Sequence, residues 1–247
     1  GSRLRDVLDA VLQWCSPVEF SCEANPESFD GPMAALMRAH GVTRVSLGVQ
    51  SLNDDELHAI GRLHTTKRAL EAVSLAQSSG LSVSCDLMCG LPGQTLDSWA
   101  ATIDRLIATG PDHVSVYPLS IEEGTPLAHK IERGVCPEPD EDLQADAMEM
   151  ARPAFSSAGL EPYEVASYAR PGAACRHNIA YWTGVEYLGI GRSAAGMLDR
   201  VTFEGLAPLF GDPSLSNIGP DAARIRFVQR DDAASSFEWE TLTLREA

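Results

Sequence analysis

Four polar residues, each at the end of a short apolar segment, recur along the chain: Glu23, Gln50, Asp86 and Ser120. They are separated by roughly 30 residues, the length of one strand followed by one helix. The carboxyl ends of parallel strands open on one mouth of a barrel, where loops build the active site. A single polar residue at a strand end is common, but four such residues at regular intervals favour a binding site.

The segments between these residues alternate in a way that predicts repeated strand–helix units. Apolar and polar residues alternate within the predicted strands, and amphipathic segments with helix caps follow them. Asn53 and Glu56 match the pattern of a capping box at the start of one short helix. The predicted strands span residues 18–24, 45–50, 81–89 and 113–119; the predicted helices span residues 4–12, 30–41, 53–60 and 67–79, and another begins at 96.

Two cysteines, Cys85 and Cys89, flank Asp86 and raise the question of a metal or redox site. On a strand they lie on the same face but about 13 Å apart, whereas thiolates bind zinc at about 2.3 Å. A helix would bring the two thiols together, but the serines and valine before them and the glycines and proline after them disfavour a helix. We therefore expect the cysteines to pack, and Asp86 and Met88 to face inward.

The composition excludes some classes of partner. The chain has 247 residues, with 19 Lys and Arg against 35 Asp and Glu, which gives a formal charge of -16. This charge disfavours nucleic acids and anionic membranes. The sequence has no apolar run of about 18 residues and no signal segment, and its six cysteines resemble reduced thiols. These features predict a cytoplasmic location.

Four motifs occur in order: EANPES (23–28), SLGVQSLNDDELHAIGRLH (46–64), DLMCGLPGQT (86–95) and HNIAYW (177–182). Together they resemble the oxygen-independent coproporphyrinogen III oxidase family of radical S-adenosylmethionine (SAM) proteins, and within it the heme-chaperone branch, HemW. The resemblance implies an α/β fold, a partial (β/α)6 radical-SAM-type barrel with a C-terminal extension. We expect the barrel's SAM-binding half in residues 1–136, and its end plus the extension carrying HNIAYW in residues 137–247.

The same resemblance implies a set of SAM contacts. In that family the corresponding residues bind SAM, which assigns Glu23, Gln50, Arg62 and Asp86 here, with Met88 and Ser120 beside the adenosine. The family binds a [4Fe-4S] cluster through an N-terminal CxxxCxxC motif, which this sequence lacks, so no metal ligand is assigned in this chain. The cluster is expected in a full-length protein, and the barrel's first strands are expected to be missing here.

The HNIAYW motif offers groups that suit heme. An imidazole is an axial ligand for heme iron, and aromatic rings stack on a flat macrocycle. This assigns His177, Tyr181 and Trp182 to heme; the alternative is a turn whose polar groups satisfy the backbone while its aromatic residues pack. Residues 187–196 resemble the family's GIGxxAHG segment, but Ala195 replaces the usual His, which puts heme ligation in question. The glycines there are expected to allow a close approach to the ligand.

Three functions remain open at this point. A heme chaperone would bind heme and transfer it to an acceptor protein, including a membrane-associated respiratory one. An enzyme of this family would be a SAM-dependent coproporphyrinogen dehydrogenase, an oxidoreductase that decarboxylates two propionates of coproporphyrinogen III to give protoporphyrinogen IX. The third possibility is a βα barrel without a cluster. The acidic composition disfavours a substrate with four propionates, and HNIAYW favours the chaperone.

Overall fold

A computed structural model of the chain describes residues 2–210, 222–229 and 237–242. Helices and strands alternate through most of the first two thirds of the sequence. Their order is α1 (Ser2–Trp14), β1 (Ser21–Ala24), α2 (Gly31–Ala39), β2 (Arg44–Gln50), α3 (Asp54–Ala59), α4 (Thr66–Ser78), β3 (Ser82–Cys89), α5 (Leu96–Ile107), β4 (His113–Pro118), α6 (Pro126–Glu132), α7 (Glu141–Ser157), β5 (Glu161–Pro162), β6 (Ser167–Ala169), α8 (Arg176–Trp182), β7 (Ala195–Asp199), α9 (Arg200–Phe210), β8 (Arg224–Gln229) and β9 (Phe237–Leu242).

The described residues form two compact units, 1–174 and 175–247. The first unit contains a six-stranded sheet in the order β1-β2-β3-β4-β6-β5. β1 to β4 are parallel neighbours, which confirms the predicted barrel-type α/β fold. Strand β6 then pairs antiparallel with β4, and β5 pairs antiparallel with β6. The sheet of the first unit thus continues beyond residue 136. The predicted division between the SAM-binding half of the barrel and the rest of the chain lies at this residue.

Each parallel strand separates an apolar face from a polar one. The side chains of Val45, Leu47 and Val49 on β2 are fully buried in the main hydrophobic cluster, as the alternation predicts. On β3, Cys85 and Cys89 belong to the same buried cluster, so the prediction that they pack is confirmed. The opposite face carries the polar residues, because successive side chains of a strand point to opposite sides.

Two element boundaries differ from expectation. Strand β1 begins at Ser21 rather than at Val18, whose side chain is 77% exposed. The N-terminal helix extends to Trp14, with Leu8 buried while Val7 and Leu12 are exposed. The pattern of apolar and polar residues therefore located both elements, but it did not predict the residues at which they begin and end.

The second unit has its own antiparallel sheet in the order β7-β8-β9. One face of β7 and β8 is packed: Leu198, Ile225 and Phe227 are buried there, together with Phe203 of α9. HNIAYW lies on α8 in this unit. All six cysteines of the chain are free thiols. Among the described residues, no helix has the length and apolar character needed to cross a membrane.

Candidate functional site

The polar face of the parallel strands brings two carboxylates close to each other. Glu23 on β1 is in register with Ser46 on β2, and Asp86 on β3 is in register with Ser115 on β4. The hydroxyl of Ser46 donates a 2.9 Å hydrogen bond to Oδ2 of Asp86. The register of β1, β2 and β3 therefore places Glu23 and Asp86 on one polar face, on either side of Ser46.

Asp86 lies in an environment that disfavours its charge. Burial raises its pKa from 3.8 to about 6, hydrogen bonds from Ser46 and Ser115 lower it, and the negative charge of Glu23 raises it. Burial also raises the pKa of Tyr117, two residues beyond Ser115, and the charges of Asp86 and Glu23 add to that effect. Asp86 is the fifth of the eight residues of β3. A carboxyl group with a raised pKa on the polar face of a barrel strand is a candidate for a ligand or substrate site.

Gln50 reaches this edge through an unusual backbone. Its φ angle is 64°, in the left-handed region that residues other than glycine rarely adopt, and the pairing of β2 with β3 shifts register between Leu47 and Gln50. Such an irregularity redirects a side chain. A Cβ atom on Gly48 would lie 2.8 Å from Nε2 of Gln50 and 3.5 Å from Oδ1 of Asn25. Gly48 therefore leaves space for the Gln50 amide to fold back over the strand.

The loop after β1 is tied to the loop after α3. Arg62 donates a 3.1 Å hydrogen bond from Nη1 to Oδ1 of Asn25, which places its guanidinium at the same edge as Gln50. The buried His64 bridges Oε2 of Glu27, at 3.2 Å, and the carbonyl oxygen of Val49, at 3.1 Å. The EANPES and GRLH motifs thus meet in space. His64 joins them, a role that was not predicted from the sequence.

Two further predicted residues occupy different surroundings. Met88 is partly buried on the same face as Asp86 and is in register with Tyr117 of β4. Ser120 is exposed and lies two residues beyond the end of β4. Met88 therefore lies next to the carboxylates along the strand, whereas Ser120 belongs to the loop that follows.

A buried glutamate supports the site. Glu56, 2% exposed, accepts hydrogen bonds from Ser51 Oγ at 2.6 Å, Ser98 Oγ at 2.6 Å and Gln94 Nε2 at 3.0 Å. The predicted capping box is therefore wrong in one half, because Asn53 caps α3 but Glu56 points to the core instead. Gln94 also accepts from the backbone N–H of Gly90. Glu56 thus joins the loop after β2 to the GLPGQT loop after β3.

The second unit carries an exposed aromatic cluster on α8. None of the seven residues of α8, all within the described part of the chain, is buried. The ring of His177 meets the ring of Tyr181 edge-on, with centroids 4.6 Å apart, and Tyr181 in turn lies 4.3 Å from Tyr187. Trp182 is 66% exposed. Tyr187 lies outside HNIAYW and was not assigned to heme, although it begins the segment 187–196 that resembles GIGxxAHG.

The segment resembling GIGxxAHG folds next to this cluster. Tyr187 pairs with Met197 of β7, and Ala195 lies on the same sheet face as Met197, because the two residues are two positions apart. A Cβ atom on Gly189 would collide with the carbonyl oxygen of Ala195. Gly189 is therefore needed for close backbone packing within the protein, a different reason from the predicted approach to a ligand.

The two sets of residues suit different ligands. In the first unit, carboxylates and an amide can bind the hydroxyl and amino groups of SAM, and Arg62 can pair with its carboxylate. The described residues contain no group of three His, Cys, Asp or Glu side chains that could hold a metal ion. They therefore fit SAM but not an iron–sulfur cluster.

Comparison with known proteins defines the class. The family model described as the radical SAM superfamily matches residues 10–106. The chain is 40% identical over 202 residues to the heme chaperone HemW of Mycobacterium tuberculosis, covering 80% of this chain and 52% of that protein. It is 42% identical over 196 residues to the mouse mitochondrial radical S-adenosyl methionine domain-containing protein 1, covering 77% of this chain and 44% of that protein.

The fold agrees with this class. The structure of coproporphyrinogen III oxidase (HemN) from Escherichia coli matches with a TM-score of 0.67 and 22% identity, over 94% of this chain and 50% of that one. The chain is thus a radical SAM protein. Within that superfamily it belongs to the HemW family. It spans about half the length of the curated relatives it matches.

Proposed function

We propose that this chain is part of a heme chaperone, which binds heme on α8 and transfers it to an acceptor protein. The observation that carries the proposal is that no side chain of α8 is buried and that the imidazole of His177 and the rings of Tyr181 and Trp182 are exposed. Exposed apolar side chains in one patch mark binding sites. Likeness to curated heme chaperones over most of the chain supports the same function.

The first unit is proposed to bind SAM at the carboxyl edge of its parallel strands. Glu23 and Asp86 would accept hydrogen bonds from the ligand's hydroxyl and amino groups, with Met88 beside the adenosine. Gln50 and Arg62 would bind at the adjoining edge, where Arg62 offers a fork for a carboxylate. In a radical SAM protein, bound SAM together with an iron–sulfur cluster would supply radical chemistry. No step through a cluster is assigned to this chain.

The proposed acceptors include membrane-associated respiratory proteins, and the proposed location is the cytoplasm. The location rests on the six free thiols, which are typical of a reducing compartment. Ala195 stands where the resemblance has a His, so His177 is proposed as the protein's principal heme ligand in this unit.

The test is a titration of the protein with heme, followed by the difference spectrum. The wild-type protein is expected to bind heme with 1:1 stoichiometry, and His177→Ala is expected to weaken binding. His129→Ala is the matched control, because His129 is an exposed helical histidine of the first unit. An unchanged difference spectrum in His177→Ala would remove the proposed role.

The second candidate function is coproporphyrinogen decarboxylation, because the chain shares its fold with HemN. Incubation of the full-length protein, with its cluster reconstituted, with coproporphyrinogen III, SAM and a reductant under anaerobic conditions is expected to give no product by chromatography. Formation of protoporphyrinogen would select the enzyme over the chaperone.

A further inference from the structure

Two arginines lie beside the aromatic cluster of the second unit. Arg224 and Arg226 alternate on β8 with the buried Ile225 and Phe227, so both arginines face away from the packed side of the sheet. Two residues along a strand are about 6.6 Å apart. The guanidinium groups therefore form a short row of positive charge.

Strand register places this row on the face that carries Tyr187. Met197 of β7 is in register with Arg226 of β8, and it also bridges to Tyr187. Residues directly opposite each other in antiparallel strands share a face. Tyr187, Met197 and Arg226 therefore stand side by side, and Arg224 follows two residues along.

Contacts with α8 and its end confirm this placement. A Cβ atom on Gly184 would lie 2.9 Å from Nη1 and 3.3 Å from Nη2 of Arg224, so this guanidinium rests on the turn that ends α8. The positive charge of Arg226 lowers the pKa of Tyr181, which burial and the neighbouring Tyr187 raise more strongly. Both arginines thus adjoin the aromatic residues of the proposed heme site.

Three acidic residues adjoin the arginine row. Asp199 is in register with Arg224, and its Oδ1 accepts from the backbone N–H of Thr202 at the start of α9. Glu186 Oε1 accepts from the backbone N–H of Asp199 at 2.7 Å. Glu240 of β9 is in register with Arg226, so Arg226 stands between Met197 and Glu240 in the sheet.

We infer that Arg224 and Arg226 bind the two carboxylates on one edge of a flat macrocycle that stacks on His177, Tyr181 and Trp182. This inference rests on the proposed heme binding and specifies the ligand class. Heme carries two propionates on one edge. Guanidinium groups pair with carboxylates through two parallel hydrogen bonds. The site therefore suits a macrocycle that has two carboxylates on one edge.

The experiment compares heme with heme dimethyl ester, in which both carboxylates are capped. Each is titrated by absorption spectroscopy into the wild-type chain and into Arg224→Gln and Arg226→Gln. Arg133→Gln is the matched control, because it removes one positive charge from an exposed arginine of the first unit. Arg224→Lys retains the charge but not the fork, and circular dichroism verifies that each variant is folded.

The wild-type chain is expected to bind heme at least about tenfold more tightly than the ester, since one charge-assisted hydrogen bond is worth about that factor. Each Gln variant is expected to lose about tenfold in heme affinity while its affinity for the ester stays constant, and Arg133→Gln is expected to match the wild type. Equal wild-type affinities for heme and ester, with no effect of the Gln variants, would overturn the inference but leave heme binding intact. Binding of neither ligand would overturn both proposals.

Discussion

Asp86→Asn is expected to stabilise the first unit at pH 8. Burial of the carboxyl raises its pKa from 3.8 to about 6. A tenfold change in proton affinity is worth about 1.36 kcal/mol, so ionised Asp86 costs the folded state at most about 3 kcal/mol. Asparagine has the same shape and can still accept the hydrogen bond from Ser46, but it carries no charge. Removing the charge therefore removes this cost.

The gain should depend on pH in a defined direction. A carboxyl whose pKa is raised on folding contributes stability below its unfolded pKa, and this contribution is lost as the pH rises through the folded pKa. The stability gap between Asp86→Asn and the wild type should therefore be close to zero at pH 3.5, grow between pH 4 and 6, and remain constant above pH 7.

Urea unfolding at several pH values measures this gap, followed by the fluorescence of Trp99, which is fully buried in the first unit. Asp97→Asn is the control, because Asp97 is exposed in the first turn of α5 and its charge there is favourable. Equal stability of Asp86→Asn and the wild type at pH 8 would refute the reasoning. A gap at pH 3.5 as large as that at pH 8 would refute it too.

Three further substitutions test other parts of the structure. Glu56→Ala leaves the buried Ser51 hydroxyl without its acceptor and removes one acceptor each from Ser98 and Gln94, and should cost about 3 kcal/mol in urea unfolding, whereas the exposed Glu71→Ala should cost less than about 1 kcal/mol. Gly48→Ala should displace the Gln50 amide and weaken SAM binding about tenfold by calorimetry, whereas Gly31→Ala, which has open space, should leave affinity unchanged. Ala195→His adds an imidazole on the sheet face that carries Tyr187, and should tighten heme binding about tenfold in a spectral titration. An unchanged affinity would show that a side chain at this position does not reach heme.

The parts of the fold that depend on local pattern were predictable. The alternation of Val45, Leu47 and Val49 identified β2 and its buried face, and the spacing of apolar residues located α4 and α5. Strands β5 and β6 have only two and three residues. Their period is too short to detect, so the antiparallel end of the sheet could not be read from the sequence.

The site was predictable to the extent that it depends on strand ends. Glu23 and Asp86 lie on the polar face because side-chain alternation dictates it. The role of Glu56 was missed because two of its partners, Gln94 and Ser98, are 38 and 42 residues away in sequence, whereas a capping box is a local pattern. The left-handed conformation of Gln50 was missed because no local signal requires it in a residue other than glycine.

The same limit applies to the second unit. HNIAYW located the aromatic residues of α8, but Tyr187 joins them only through the packing of its ring on Tyr181. Arg226 reaches the cluster through the register of β7 and β8, which is a long-range contact. The sequence motif therefore identified the residues of the proposed heme site that lie on α8, whereas Tyr187 and Arg226 could be placed beside them only from the tertiary structure.

The most direct test of the account is a resonance Raman spectrum of the ferric heme complex. We expect bands of a histidine-ligated iron in the wild-type protein, and loss of these bands in His177→Ala, because the imidazole of His177 is exposed on α8 beside Tyr181. The same ligand bands in both proteins would contradict the claim that heme binds on α8.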